Sequence, residues 1–237
     1  MIETAILLNA GQGSRLLPLT ADRPKCLIEV GGKAIVDHQL DALAAVGVKR
    51  RVVVGGYRID RLAAHLAARG DDAELRFNPF WAVSSSISSV WAVRDLLEDD
   101  FAIMNGDTVY DPDLLGMGFG QLAPGINLFI EPIAEAVSDD MLVQADGGKV
   151  QAVAKTLDPA IARFRSLGVV VAHGDNGEYR SALEATIGGE RGIQSFHHAI
   201  IDDIAKAQGV NAVIIDHGHW VEIDRPEDIA GWQHRPE

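Results

Sequence analysis

Three sets of residues in this sequence have the types and spacing to do chemistry. The first lies in LLNAGQGSRLLPLTADRPK, where Gly11 and Gly13 follow directly on an apolar run, Arg15 sits inside the turn and Lys25 stands after Pro24. A Gly-x-Gly turn at the end of a strand lets backbone N–H groups converge on an anion with no Cβ in the way. Two fixed cations could then neutralise a triphosphate and stabilise departing pyrophosphate. The dinucleotide fingerprint needs a third glycine where Leu16 stands, and the phosphate loop of many NTPases needs Lys-Ser/Thr where Ser14-Arg15 stand. Both of those common readings fail. A surface turn with two solvated cations is the alternative for the same residues.

The second set is acidic. Asp107 ends the run FAIMNGD, where a carboxylate faces the ligand cleft of an open α/β sheet. In HWVEIDRPED a period of two places Trp220, Glu222 and Asp224 on one face of a strand. Mg²⁺ takes oxygen ligands, keeps several waters and needs only one or two protein carboxylates beside substrate phosphates. Asp107 with Glu222 or Asp224 would suffice. Otherwise Asp107 is a strand-end turn residue, and Glu222 and Asp224 an N-cap or a solvated edge before Pro226.

The third set would face a second substrate. RFNPFWAVSSSISSVWAVRDLL offers Asn78 and a serine run, and SDDMLVQADGGKVQAVAK offers Asp139, Asp140 and Lys155. Ser84, Ser85 and Ser86 are equally N-cap candidates, Ile87, Val90, Trp91 and Arg94 have helix spacing, and Trp91 reads as core. Lys155, ending a strand, is otherwise a solvated side chain. His197-His198, and His217 with His219, could suggest metal ligands. No cysteine accompanies them, and the first pair points to different faces of a helix, so they read as surface or core histidines.

These residues need a scaffold, and the composition supplies one. The chain has 237 residues, 47% of them apolar and 23% charged, enough for a single compact α/β unit. A formal net charge of -13 argues against a nucleic-acid backbone as the main ligand. Cys26, the single cysteine, allows neither an intramolecular disulfide nor a thiolate-rich zinc site. The N-terminus MIETAILLNAGQG carries an acid where a signal peptide would carry positive charge, so a cytoplasmic protein without membrane insertion is expected. TAILLNA, RRVVVGG, AELRF and FAIMNGD read as strands. AIVDHQLDALAAVG, RIDRLAAHLAARG and SISSVWAVRDLL read as helices between or after them, which implies parallel βαβ units with ligands at the carboxyl ends of the strands. INLFIEPI, MLVQAD, KVQAVAK and SLGVVVA follow with little helix between them, and ADGGKV carries hairpin chemistry, so an antiparallel extension is expected on the same sheet. Helices near 178–187 and 196–208, strands NAVIID and HWVEI, and a final helix PEDIAGW complete the reading.

NAGQGSRLLPLTADRPK resembles the signature of the nucleotidyltransferase family that joins a nucleoside triphosphate to a phosphorylated small molecule: Gly-x-Gly-x-Arg, then Pro-x-Thr, then Pro-Lys. The resemblance continues through Asp107 and through the acidic motif before the last helix. WVEID looks more like the cytidylyltransferase branch that handles phosphocholine and similar phospho-alcohols than the Trp-Leu-Asp-x-Gly of the sugar-phosphate branch. AKTLDP lacks the Glu of the Glu-Lys-Pro usual in that branch, while Ser85 and Ser86 stand where the phosphocholine pattern commonly has Asn. A choline headgroup would call for an aromatic cage, and the second half offers mainly Phe164, Phe196 and Trp220.

The resemblance implies a Rossmann-like open mixed sheet flanked by helices, with a small antiparallel substrate-binding extension. One domain over 1–237 is expected, its nucleotide-binding part roughly 1–115 and its substrate-binding part roughly 116–237. The implied activity is Mg²⁺-dependent transfer of CMP from CTP, or of another NTP's nucleotide, to a phosphorylated or phosphonylated small alcohol or amine of the phosphocholine type, with release of pyrophosphate. Arg15, Lys25, Asp107 and Asp224 would be catalytic, with Asp107 and Asp224 on the metal. Asn9, Ala10, Gly11, Gln12, Gly13, Ser14, Arg15, Lys25, Asn78, Ser84, Ser85 and Gly106 would bind nucleotide. Asp107, Asp140, Lys155, Trp220 and Glu222 would meet the second substrate. A sugar-1-phosphate nucleotidylyltransferase and a non-catalytic nucleotide-binding module are the alternatives, and a homodimer is allowed without being required.

Overall fold

The structure, a computed structural model, describes residues 2–135, 137, 139–174, 177–190 and 192–232. Its first half runs β1 (Thr4–Asn9), β2 (Glu29–Val30), β3 (Lys33–Ala34), α1 (Ile35–Ala45), β4 (Arg50–Gly55), α2 (Ile59–Arg69), β5 (Glu74–Phe77), α3 (Ile87–Trp91), β6 (Phe101–Asn105), β7 (Thr108–Tyr110) and α4 (Pro112–Phe119). Then come β8 (Gly125–Pro132), β9 (Leu142–Asp146), β10 (Lys149–Ala154), β11 (Phe164–His173), α5 (Gly177–Gly188), α6 (His198–Ala207), β12 (Val210–Ile214) and β13 (Trp220–Glu222).

Nine strands form one sheet in the order β5-β4-β1-β6-β11-β8-β12-β10-β9. β5, β4, β1 and β6 are parallel, β11 is antiparallel to β6 and β8, and β9 and β10 form an antiparallel hairpin. This is the open mixed sheet and antiparallel extension expected from the sequence, with strands from both halves of the chain in a single layer. A separate two-stranded ribbon, β7 with β13, is antiparallel and sets Glu222 opposite Thr108.

Period-two alternation sends side chains to two cores, one on each face of the sheet. Ala5, Leu7, Val53, Ala102 and Met104 meet α1, α2 and α4 on one face. Ile6, Val52, Val54, Phe101 and Ile103 meet α3, α5 and α6 on the other. A third, smaller cluster of Leu16, Ile28, Val30, Ile35, Val109 and Ile223 ties the Gly-turn loop to β7 and to the chain after β13. It fixes two distant loops side by side.

Three elements depart from the sequence reading. SISSVWAVRDLL is a short α-helix followed by a 3-10 turn at Arg94–Leu96, the helical backbone ending before Val93, whose φ is -123°. PEDIAGW is a 3-10 helix, Pro226–Gly231, capped by the Asp228 carboxylate accepting from the Arg225 amide. The glycine-rich PDLLGMGF forms α4, with Asp111 capping the Asp113 amide and Pro112 in the first turn. Among the described residues no helix is long and apolar enough to cross a membrane.

Candidate active site

The Gly turn is open on one side and closed on the other. A Cβ on Gly11 would meet nothing within 4 Å, and among the described residues no backbone acceptor meets the amides of Gly11, Gln12 or Gly13. Gly13 is different: its φ is +72° and a Cβ there would lie 2.9 Å from Lys25 Cβ, so only glycine lets the turn pack on the lysine. Thr20 Oγ1 and the Leu16 amide both donate to Gly13 O at 2.9 Å. Leu16 is buried in the small third cluster. The loop therefore holds Arg15 and Lys25 in place while leaving its amides free.

Asp107 is positioned from beneath. A Cβ on Gly106 would lie 2.2 Å from the Leu8 carbonyl oxygen, so the chain passes under the end of β1 only as glycine. Gln39 of α1, fully buried, donates through Nε2 to the carbonyls of Asn105 and Thr108, both at 2.8 Å, and accepts from Asn9 Nδ2 at 3.2 Å. Asp107 lies between those two carbonyls. Its own carbonyl accepts from the Ile223 amide at 2.8 Å. Asp107, Glu222 and Asp224 consequently offer one oxygen each within 4.8 Å of one another, the single group of potential metal ligands among the described residues. Three carboxylates at this spacing fit a hard divalent cation of the Mg²⁺ type.

Lys25 and Arg15 sit on these acids. Lys25 Nζ lies 3.0 Å from Asp107 and also bonds Asp224, and Arg15 lies 3.0 Å from Asp224 while bonding Asp139. Lys155 pairs with Asp139 from the other side. Burial would discharge Lys25, but Asp107 and Asp224 outweigh it and hold the ammonium above its ordinary range. For Asp107, burial raises the carboxyl and Lys25 more than reverses this, leaving it below the carboxylate range. Glu222 is pushed up to about 8 by desolvation and by the charges of Asp107 and Asp224. Glu222 reaches solvent, so water offsets part of the desolvation and screens part of the repulsion, and the upward direction is what the three crowded acids support. Such crowding is what a bound cation relieves.

The cleft of about 160 Å³ beside this cluster also takes in Ser86, Asp140, Lys155, Arg165, His197 and Trp220. A larger depression, about 990 Å³, lies at the amino ends of the parallel strands near Ile2, Asp111 and His173. It contains none of these converging groups, and the chemistry belongs to the smaller cleft.

Of the residues singled out from sequence, Arg15, Lys25, Gly106, Asp107, Asp140, Lys155, Trp220, Glu222 and Asp224 meet in this one place. Others do not. Asn78 is 1% exposed, with Nδ2 donating to Ser88 and Ser89 and Oδ1 accepting from the Phe80 amide, so its side chain shapes the turn. Ser84 is bonded to the Phe80 carbonyl and to Ser88. Asn9 is buried, its amide turned to Gln39 and away from the open turn. The Ser85 amide donates to Ile193 O. His197 and His198 do not diverge as their helix spacing implied: His197 precedes the first residue of α6, and the two buried rings lie 4.2 Å apart. Ser86 and Asp139, both named from sequence, also line this cleft. Gln39 and Arg165 carry no motif and were missed. The signal for Gln39 was a polar residue on the apolar stripe of α1.

An open α/β sheet that gathers its charged groups at the carboxyl ends of parallel strands has the architecture of a nucleotide-handling domain. Residues 4–118, from β1 through most of α4, match the nucleotidyl transferase family model. A CTP:phosphoglutamine cytidylyltransferase of Campylobacter jejuni is 35% identical over 115 residues, 46% of this chain and 45% of that protein. A UTP–glucose-1-phosphate uridylyltransferase of Haloferax volcanii is 33% identical over 110 residues, 46% and 45% of the two chains. The chain thus spans about half the length of the curated relatives it matches. The inositol-1-phosphate CTP transferase of T. maritima shares the fold, with a TM-score of 0.81 over 96% of this chain and 91% of that one at 22% identity.

Proposed function

We propose that this protein is a Mg²⁺-dependent cytidylyltransferase that moves CMP from CTP to a phosphorylated or phosphonylated small molecule and releases pyrophosphate. The observation that carries the reading is the convergence of Asp107, Glu222 and Asp224 within 4.8 Å, with Lys25 against Asp107 and the open Gly turn packed on Lys25. The amides of Gly11, Gln12 and Gly13, with Arg15 and Lys25, hold the β- and γ-phosphates. Asp107 and Asp224 would hold the metal, with Glu222 beside them. Mg²⁺ supplies charge neutralisation on phosphate oxygens and a template for the two substrates.

Lys155 orients the incoming phosphate. One of that phosphate's oxygens bonds to the α-phosphorus of CTP as the bond to the bridging oxygen breaks, and the electron pair leaves with pyrophosphate. The attacking oxygen is already ionised near neutral pH, so no general base is needed. Positioning and charge stabilisation supply the rate. CTP is favoured by the Campylobacter relative's named nucleotide and by the absence of Glu-Lys-Pro at 154–158. The Haloferax relative supports the second reading, a sugar-1-phosphate nucleotidylyltransferase with another NTP.

The test is pyrophosphate release with Mg²⁺ and each of four NTPs against a panel of phospho-alcohols, aminoethylphosphonate and hexose 1-phosphates. CTP should be the productive nucleotide. Asp107→Ala should keep the wild-type circular dichroism spectrum and lose turnover; a folded Asp107→Ala that turns over normally would sink the assignment.

A further inference from the structure

We propose that the second substrate carries an oxygen acceptor on its organic part, a hydroxyl, amide or carboxylate, that His197 Nε2 donates a hydrogen bond to it, and that the site excludes a quaternary ammonium. This rests on the cytidylyltransferase reading and concerns the same cleft. His197 lines the cleft with Asp107 and Glu222, is 1% exposed, and its Nε2 has no partner. A buried polar atom without a partner is costly, and a ligand is one way of meeting it.

The surroundings fix what that atom offers. Ser86 Oγ accepts from the His197 amide at 3.0 Å and lies 3.1 Å from Nδ1. Nδ1 is the one acceptor that the described residues offer the Ser86 hydroxyl proton, and a hydroxyl that donates there puts the ring proton on Nε2. Ser166 treats His198 similarly: Oγ accepts from the Gly168 amide at 3.0 Å and lies 3.0 Å from His198 Nε2. Burial lowers His197 to about 4, so its ring is neutral at physiological pH. It presents an uncharged donor among charged groups. The incoming phosphate is matched better by Lys155, since hydrogen bonds between ions are the stronger ones. That leaves His197 for an oxygen on the rest of the molecule.

The aromatic rings at this end are already in use. Lys155 Nζ lies 5.2 Å from the centre of the Phe196 ring, and the Arg165 guanidinium lies 4.8 Å from that of Trp220. Arg165 is held there by Glu131 and Asp140. A trimethylammonium seeking these faces would meet the protein's own cations, whereas a cage needs the rings free.

Initial rates with CTP and Mg²⁺, varying phosphocholine, phosphoethanolamine, O-phosphoserine, inositol phosphate and hexose 1-phosphates, test this. An oxygen-bearing substrate should exceed phosphocholine at least tenfold in kcat/KM. His197→Leu should raise KM for that substrate at least tenfold with the KM for CTP unmoved, and His197→Gln, which keeps a donor, should recover most of it. Preference for phosphocholine overturns the proposal, as does an equal rise in KM for every substrate, which would put the contact on the phosphate. If His197→Leu does not fold, the wild-type panel decides alone. Turnover with UTP in place of CTP removes the cytidylyl reading and leaves the same comparison to be run with UTP; silence with every NTP removes both.

Discussion

Lys25 shows how one side chain serves the fold and the chemistry together. Lys25 is 9% exposed, and its ammonium is shared by Asp107 and Asp224, whose oxygens also lie near Glu222. Without it the three acids have Arg15 as their remaining close cation, and Arg15 is half exposed. Lys25→Met should therefore lose about 2–4 kcal/mol, at or below the range for breaking a buried ion pair, because Asp107 retains some access to water. Added Mg²⁺ should recover part of the loss by supplying the missing charge. Thermal melts of wild type and Lys25→Met with and without Mg²⁺ read both effects, and equal melting temperatures would mean that Lys25 is an ordinary surface cation. At this scale the sequence was informative about identity and silent about partnership. Arg15 and Lys25 were read as phosphate ligands and the acids as metal ligands, yet the structure puts these cations on these acids. Opposite charges brought together by separate loops pair with each other, and residue spacing along one chain carries no trace of that.

At the scale of elements, α1 is the part that aims Asp107. Gln39 Nε2 spans the carbonyls of Asn105 and Thr108, fixing the turn that carries the carboxylate. Gln39→Leu preserves the bulk of the side chain but leaves both carbonyls without that donor. The expected result is roughly a 10- to 100-fold loss in apparent Mg²⁺ affinity, as for other residues that orient metal ligands, read from the Mg²⁺ dependence of turnover. An unchanged Mg²⁺ curve would show that β6 and β7 aim Asp107 unaided. The alternating strands β1, β4 and β6 and the amphipathic α1 and α2 were legible because their periodicity is local. α4 was not, since Gly116, Gly118 and Gly120 argue against a helix; a Cβ on Gly118 would lie 2.0 Å from the Phe129 ring, so packing requires that glycine. The β7–β13 ribbon pairs Thr108 with Glu222, and neither three-residue strand announces its partner. Asp107, Glu222 and Asp224 could be proposed from sequence, but the ribbon and Gln39 that bring them together are contacts between distant parts of the chain.

For the whole molecule, the two histidines couple stability to pH. Burial lowers His197 from 6.5 to about 4 and drives His198 well below its ordinary value, with the His197 ring adding to the shift. Between about 4 and 6.5 the unfolded chain binds a proton at His197 that the native protein does not, so acidification favours unfolding. The stabilisation is fully present above 6.5 and lost as pH falls to about 4, on the order of 3 kcal/mol for His197. Glu222, lifted from 4.5 to about 8, pulls the other way: its stabilisation is present below 4.5 and lost as pH rises through 8. Asp139, held at about 2 first by its bonds to Lys155 and Arg15, loses its share only below its ordinary 3.8. The wild-type profile therefore mixes opposing trends, and the informative quantity is a difference. Urea denaturation of wild type and His197→Gln at pH 7 and pH 4 should show the gap between them narrowing by about 3 kcal/mol at the lower pH. A gap independent of pH would mean that His197 takes up its proton inside the folded protein, which the ring's burial against His198 and Ser86 argues against.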